Sequence, residues 1–232
     1  MQRHEVQEYF PQLSTLIEQF PDTHPLCVAL AGVSLQDAKM RKTLIPTLER
    51  IAENIASVDR DQGFRLRLAV ARTHQELMNI LSQLYVSYLY RDHGPRMIHG
   101  NTHFHIELSI ADQLLALGVV QLHSLDSLAL QFRDEIDDVE TFMQTLATHV
   151  HEMHKHDTAH HHVLAAVSTH PSLSKEIALR RYVQEHRDEM TNVFPHVSGV
   201  VLIHALPDKE EATFVPFHVP NSQVEWMLSK QS

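Results

Sequence analysis

Asp157 and His160 interrupt the best-defined apolar stripe in the chain. Ile136, Val139, Met143, Leu146, Val150, Met153, Asp157, His160, Leu164 and Val167 step by three and four without a slip. That is the spacing of one helix face. Two polar groups three residues apart on such a face can converge. Burying a carboxylate is costly unless it is paired or binds a metal. Two readings stay open: an Asp–His pair that satisfies itself, or half of a metal site. His186 breaks a second stripe, between Val183 and Met190, and His74 breaks a third, between Val70 and Leu77. Three interrupted stripes fit a helical bundle with a site in its core.

The chain holds 20 His among 232 residues, and seven fall in HVHEMHKHDTAHHH (149–162). His149, His151, His154, His156, His161 and His162 cannot all face one core, so this group is read as mostly solvated. The spacing is not that of a zinc finger, since no Cys takes part. His103 and Glu107 form an i, i+4 pair with His105 between them. If that segment is helical, either His105 or the His103/Glu107 pair faces inward, but not all three. Cys27 lies in an apolar stretch, HPLCVALAG, that suits an inert thiol. There is no GxxxxGK[ST], GxGxxG or GxSxG.

The elements that would position these residues are mostly helices. Residues 4–20 read as a first helical region, restarted at Pro11 and ended by Pro21. Ser34–Asp37 resembles a capping box, and the helix after it carries Leu44, Leu48, Ile51 and Ile55, with a bend before Pro46. A further stripe runs Val70, His74, Leu77, Leu81, Leu84, Tyr88. Residues 92–101 form a loop. Phe104, Ile106, Leu108 and Ile110 alternate as a strand would, but a lone strand between helices has no partner, so 103–117 is read as one helix. The 136–167 stripe would make a helix of about 48 Å, long enough that a break is expected. The next helix ends at Pro195. Residues 197–205 and 212–219 read as two strands, and 222–230 as a short helix with Trp226. The expectation is a mainly α fold: a helical bundle over 1–196, with a small C-terminal β-hairpin and short helix (197–232) packed on the same domain.

Composition narrows the function. With 43% hydrophobic and 21% charged residues the chain is globular. Lys and Arg number 19 against 29 Asp and Glu, a formal charge of −10, which argues against a general nucleic-acid partner. No apolar run reaches the length of a membrane span, so no membrane partner is expected. No signal peptide is visible, and a single Cys favours a cytoplasmic setting. A small-molecule substrate is the expected partner, with homo-oligomerisation left open.

Two stretches resemble the heme-oxygenase-like helical scaffold shared by TenA-type proteins and diiron oxidases. One is HPLCVALAGVSL (24–35), similar to the family's entry motif. The other is Asp92-His93-Gly94 followed by HIELSIADQLLALG (105–118), similar to an acidic-x-Gly and His-x-x-Leu pattern. The resemblance implies Asp92 and His105 as metal ligands and maps the family's late Asp-x-x-His onto Asp157 and His160. Asp92 stands where the family has Glu, and Met153 where it has His. With His186 from the stripe analysis, the candidate metal set is Asp92, His105, Asp157, His160 and His186. The implied activity is oxidation of a small organic substrate by O2 at non-heme iron, with zinc or no metal as alternatives. The competing reading is a non-enzymatic His-rich helical module for metal binding or protein interaction.

Overall fold

The computed structural model describes residues 3–32, 44–58, 63–99, 104–110, 113–121, 139–140, 143–144, 147, 161–168, 173–195, 197–205, 210–217 and 228–229. It divides into two compact units, one over Met1–Arg91 and a second over Asp92–Ala205 and Glu210–Ser232.

The first unit is helical among its described residues. Helices α1 (Arg3–Tyr9) and α2 (Pro11–Ile17) meet at Phe10, and Pro11 takes the first helical position. There its missing N–H removes no intrahelical bond. The Glu49 carboxylate accepts the N–H groups of Gln12 (2.9 Å) and Leu13 (2.7 Å). A side chain from another helix thus caps α2, where unpaired donors and the positive dipole end favour an anion. Helix α3 is Pro25–Gly32 and α4 is Leu44–Val58. In α4 the expected stripe is buried at Leu48, Ile51 and Ile55, and Pro46 falls in the first turn, where it breaks no hydrogen bond.

The stripe from Val70 to Tyr88 is two helices. Helix α5 (Gly63–Val70) ends and α6 (His74–Leu89) restarts. Thr73 accepts from the Glu76 N–H while the Glu76 carboxylate accepts from the Thr73 N–H, a capping box. Val70 is consequently exposed, off the buried face of α6. Residues 80–90 of α6 and its end are buried throughout, including Ser82, Gln83 and Ser87, the mark of a helix enclosed on all sides.

The second unit is built on a six-stranded sheet whose order follows the chain, β1 to β6. Its strands are β1 (Arg96–His99), β2 (Phe104–Ile110), β3 (Gln113–Gln121), β4 (His161–Ser168), β5 (Val197–Ala205) and β6 (Glu210–Pro216). β1–β2, β2–β3 and β5–β6 pair antiparallel, and β3–β4 and β4–β5 pair parallel. Helices α7 (Leu173–Glu185) and α8 (Arg187–Val193) form the crossover from β4 to β5. Their Leu179, Val183, Met190 and Phe194 join Val200, Val215 and Phe217 of the sheet and its end in one buried cluster, with Val139 and Met143.

Three expectations are corrected. Residues 103–117 are not one helix: 104–110 and 113–121 are paired strands, joined across two residues. The alternation of Phe104, Ile106, Leu108 and Ile110 was a strand signal, and the partner that seemed absent is the next segment. The long stripe is not helical to 167, because 161–168 is a strand in which Val163 and Ala165 alternate as buried residues. Residues 139–140, 143–144 and 147 are helical, as that stripe requires. The hairpin at 197–216 is present, but as the edge of the larger sheet; the expected boundary at 196/197 falls inside the second unit because β5 is hydrogen-bonded to β4. Helix still exceeds strand among the described residues. Ser34–Asp37 and Trp226 lie outside the described residues.

Candidate metal centre

β2 sets the geometry. Ile106, Leu108 and Ile110 are buried, and so are their neighbours Leu115 and Leu117 on β3 and Val163 and Ala165 on β4. Paired residues share a face and alternate residues return to it. The opposite face therefore carries the positions of His105, Glu107 and Ser109 on β2, Ala116 and Gly118 on β3, and His162 and Leu164 on β4. On β2 this second face is open: Ser109 is exposed and Glu107 is half-buried.

The register is specific. Glu107 pairs with Ala116, and Ala116 pairs with His162. His105 pairs with Gly118. Glu107 and His162 are thus two strand spacings apart, about 9.5 Å, with alanine between them. His105 lies along β2 from Glu107 by about 6.7 Å, on the same face. The pairing of β4 with β5 shifts between His162 and Val163, since His162 opposes Val197 while Val163 opposes Gly199. Such an irregularity locally re-aims the chain and is common beside functional sites. On the other side of Glu107 the opposed residue is Arg96 of β1, an opposite charge directly across the strand pair.

The residues expected to form the site are distributed differently. Asp92 is exposed in the short 3₁₀ turn Arg91–His93. His105 is a strand residue, paired with Gly118. Asp157 and His160 lie outside the described residues, one to four positions before β4. His186 stands between α7 and α8 as the residue preceding α8. Its ring stacks on Tyr182 at 4.1 Å, and its Nδ1 lies 3.0 Å from the Tyr182 carbonyl, to which Nδ1–H donates. Burial first, then the Glu140 and Glu189 carboxylates, raise the Tyr182 phenol above the ordinary tyrosine range. His186 is therefore engaged with its own helix. Among the described residues no three His, Cys, Asp or Glu side chains are grouped closely enough to hold a metal ion.

Sequence reasoning underweighted Glu107 and His162. Read as a helix, 103–117 sends His105 and Glu107 to different faces; as a strand it places both on one. His162 was grouped with the outward histidines, and only the parallel pairing with β3 sets it opposite Ala116. The alternation from 104 to 110 was the signal for the first correction. No local signal could have given the second, because β3–β4 pairing is nonlocal.

His24 has a structural role instead. It is buried, stacked on Phe20 at 4.2 Å, with Nδ1 accepting the Leu26 N–H (3.2 Å) and Nε2 2.8 Å from the Leu68 carbonyl. Since Nδ1 accepts, Nε2 carries the proton and donates to that carbonyl. The ring caps α3 and ties it to the last turn of α5.

No known family model matches the chain, and no curated protein matches it. No helix among the described residues is long and apolar enough to cross a membrane.

Proposed function

We propose that this protein is metal-dependent and that its second unit binds a transition metal, most simply iron, to oxidise a small organic substrate with O2. The observation that supports this reading is the parallel pairing of β3 with β4. It brings the end of the histidine run at 161–162 onto the strand next but one to His105. Mixed imidazole and carboxylate donors suit iron, and the same donors accept zinc. Iron, when bound, would supply O2 activation. The chain's own part is to hold it on a rigid sheet, which fixes donors more closely than a loop does.

This is the chemistry that the heme-oxygenase-like resemblance implies, with His105 carried on a strand rather than a helix. Asp157 and His160, which directly precede β4, are the resemblance's contribution to the donor set.

Metal analysis of protein purified without an affinity tag, followed by O2 consumption with Fe(II) and a panel of small organic substrates, tests the reading. Stoichiometric metal with substrate-dependent O2 uptake supports it. Stoichiometric metal that never consumes O2 favours the non-enzymatic metal-handling module. Protein that binds neither iron nor zinc removes metal dependence altogether.

A further inference from the structure

We infer that the outer edge of β6 is a pairing surface for the β6 strand of a second copy of this chain, held shut by a latch made of Ser229 and Arg180. This edge owes nothing to the metal-dependent reading above. Direction, occupancy and self-complementarity each point to it.

Direction comes from the β5–β6 ladder. The Phe217 N–H donates to the Ser198 carbonyl (3.0 Å), and the register holds without a shift from Gly199↔Pro216 to Ala205↔Glu210. In an antiparallel pair, alternate residues turn their backbone groups toward the partner strand and away from it. Thr213 and Val215 therefore face β5, while Ala212, Phe214 and Pro216 face outward. Among the described residues β6 ends the sheet, so this outward row is an edge seven residues long. The opposite edge, β1, has only four residues.

The β6 edge is occupied at its centre. The Phe214 N–H donates to Ser229 Oγ (3.2 Å), and the Phe214 carbonyl accepts from Arg180 Nη2 of α7 (3.1 Å). Both outward groups of one strand residue are thus met by side chains from two other parts of the chain. Leu228, fully buried beside Ser229, anchors the covering segment. Pro216 brings no N–H to the edge. An uncovered edge is a template for another chain, and proteins block it with proline, charged side chains and covering segments. All three devices meet at this one stretch.

The same stretch is self-complementary. Phe214 presents one donor and one acceptor, so two copies set antiparallel about it exchange two hydrogen bonds across a twofold axis, an isologous contact. The Ala212 N–H of each copy then donates to the Pro216 carbonyl of the other, a bond that asks no N–H of proline. Antiparallel pairing also keeps Glu210 and Glu211 of the two copies at opposite ends of the ladder. Parallel pairing would set these carboxylates directly against one another, where like charges repel.

Ser229→Ala, Arg180→Met and the double variant of the full-length, untagged protein test the latch. EDTA is present throughout, so that no metal bridges the histidine run at 149–162. Hydrogen exchange at the Phe214 amide reads the latch, with the inward amides of Thr213 and Val215 as controls. In dilute Ser229→Ala, Phe214 should exchange faster by about 2- to 10-fold, the weight of one hydrogen bond, while both controls keep their wild-type rates. In sedimentation equilibrium the double variant should reach twice the wild-type mass as its concentration rises, and Phe214 should then regain protection.

Phe214 exchange in Ser229→Ala equal to wild type overturns the latch. Faster exchange in a double variant whose mass equals wild type at every concentration overturns the second copy as occupant. Association without concentration-dependent protection of Phe214 places the contact elsewhere and overturns the proposal as well. Should the double variant fail to fold, Ser229→Ala alone decides, through Phe214 exchange and its dependence on concentration.

Discussion

His24 shows how a residue that looks chemical can be spent on architecture. Its two ring nitrogens meet a donor and an acceptor that would otherwise be stranded, the Leu26 N–H and the Leu68 carbonyl. His24→Ala should cost about 3 kcal/mol, because a buried unsatisfied group costs about 1–3 kcal/mol. His24→Asn should recover about 1 kcal/mol of that by restoring the cap on α3 alone; equilibrium denaturation of the two variants measures both values. At Glu76 the relevant variable is pH. Hydrogen bonds from the Arg72 and Thr73 N–H groups hold its carboxyl below the ordinary glutamate range. A carboxyl lowered in the folded state stabilises above its unfolded value, about 4.3, and that contribution is lost as pH falls through the lower folded value. Wild type should therefore exceed Glu76→Gln in denaturation midpoint at neutral pH, and the gap should close under acid.

Elements were legible to the extent that their signals are local. Pro11 and Pro21 bracketed the first helices, and Leu48, Ile51 and Ile55 marked the buried face of α4. Thr73–Glu76 is a capping box visible in the sequence, yet the apolar spacing across it read as one continuous stripe. The sheet was harder. β2 alternates, but β3 and β4 are nearly continuous apolar runs, as strands covered on both faces tend to be, and such runs look equally helical. Gly199 is one point where the sheet makes a strict demand. A Cβ there would collide with the Val215 carbonyl oxygen and come within 2.8 Å of the Phe214 ring. The obstacle is backbone of the paired strand, which cannot rotate away. Gly199→Ala should destabilise the protein by about 1–3 kcal/mol, and denaturant titration should show it; a neutral result would mean that β5 and β6 separate more readily than their pairing indicates.

For the molecule as a whole, charge and burial set the pH limits. The chain's 20 His stand against a formal charge of −10, so its net charge shrinks as pH falls, toward a sequence isoelectric point of about 6.0. Electrophoretic mobility should cross zero close to that pH, and solubility should be lowest there. At the alkaline end Tyr90 decides. Burial raises its phenol far above the ordinary tyrosine range. A group raised in the folded state stabilises fully below its unfolded value, about 10, and loses that contribution as pH rises toward the folded one. Stability should fall above about pH 10 in wild type and fall less steeply in Tyr90→Phe, measured by thermal unfolding.

Composition and spacing alone determined that the chain folds around helices, that its apolar stripes have polar interruptions at His74, Asp157, His160 and His186, and that a hairpin lies near the C-terminus. Those properties depend on neighbours within a few residues, so they can be read along the chain. Which strand positions share a face was decided by tertiary structure. His105, Glu107 and His162 are brought onto one face by β2–β3 pairing and by a parallel crossover of some forty residues from β3 to β4. Period-two geometry makes each one-residue error in such a register exchange the two faces of the sheet. The hydrogen bonds that fix the register join residues far apart in sequence, so nothing local to His162 could announce that it stands beside Ala116.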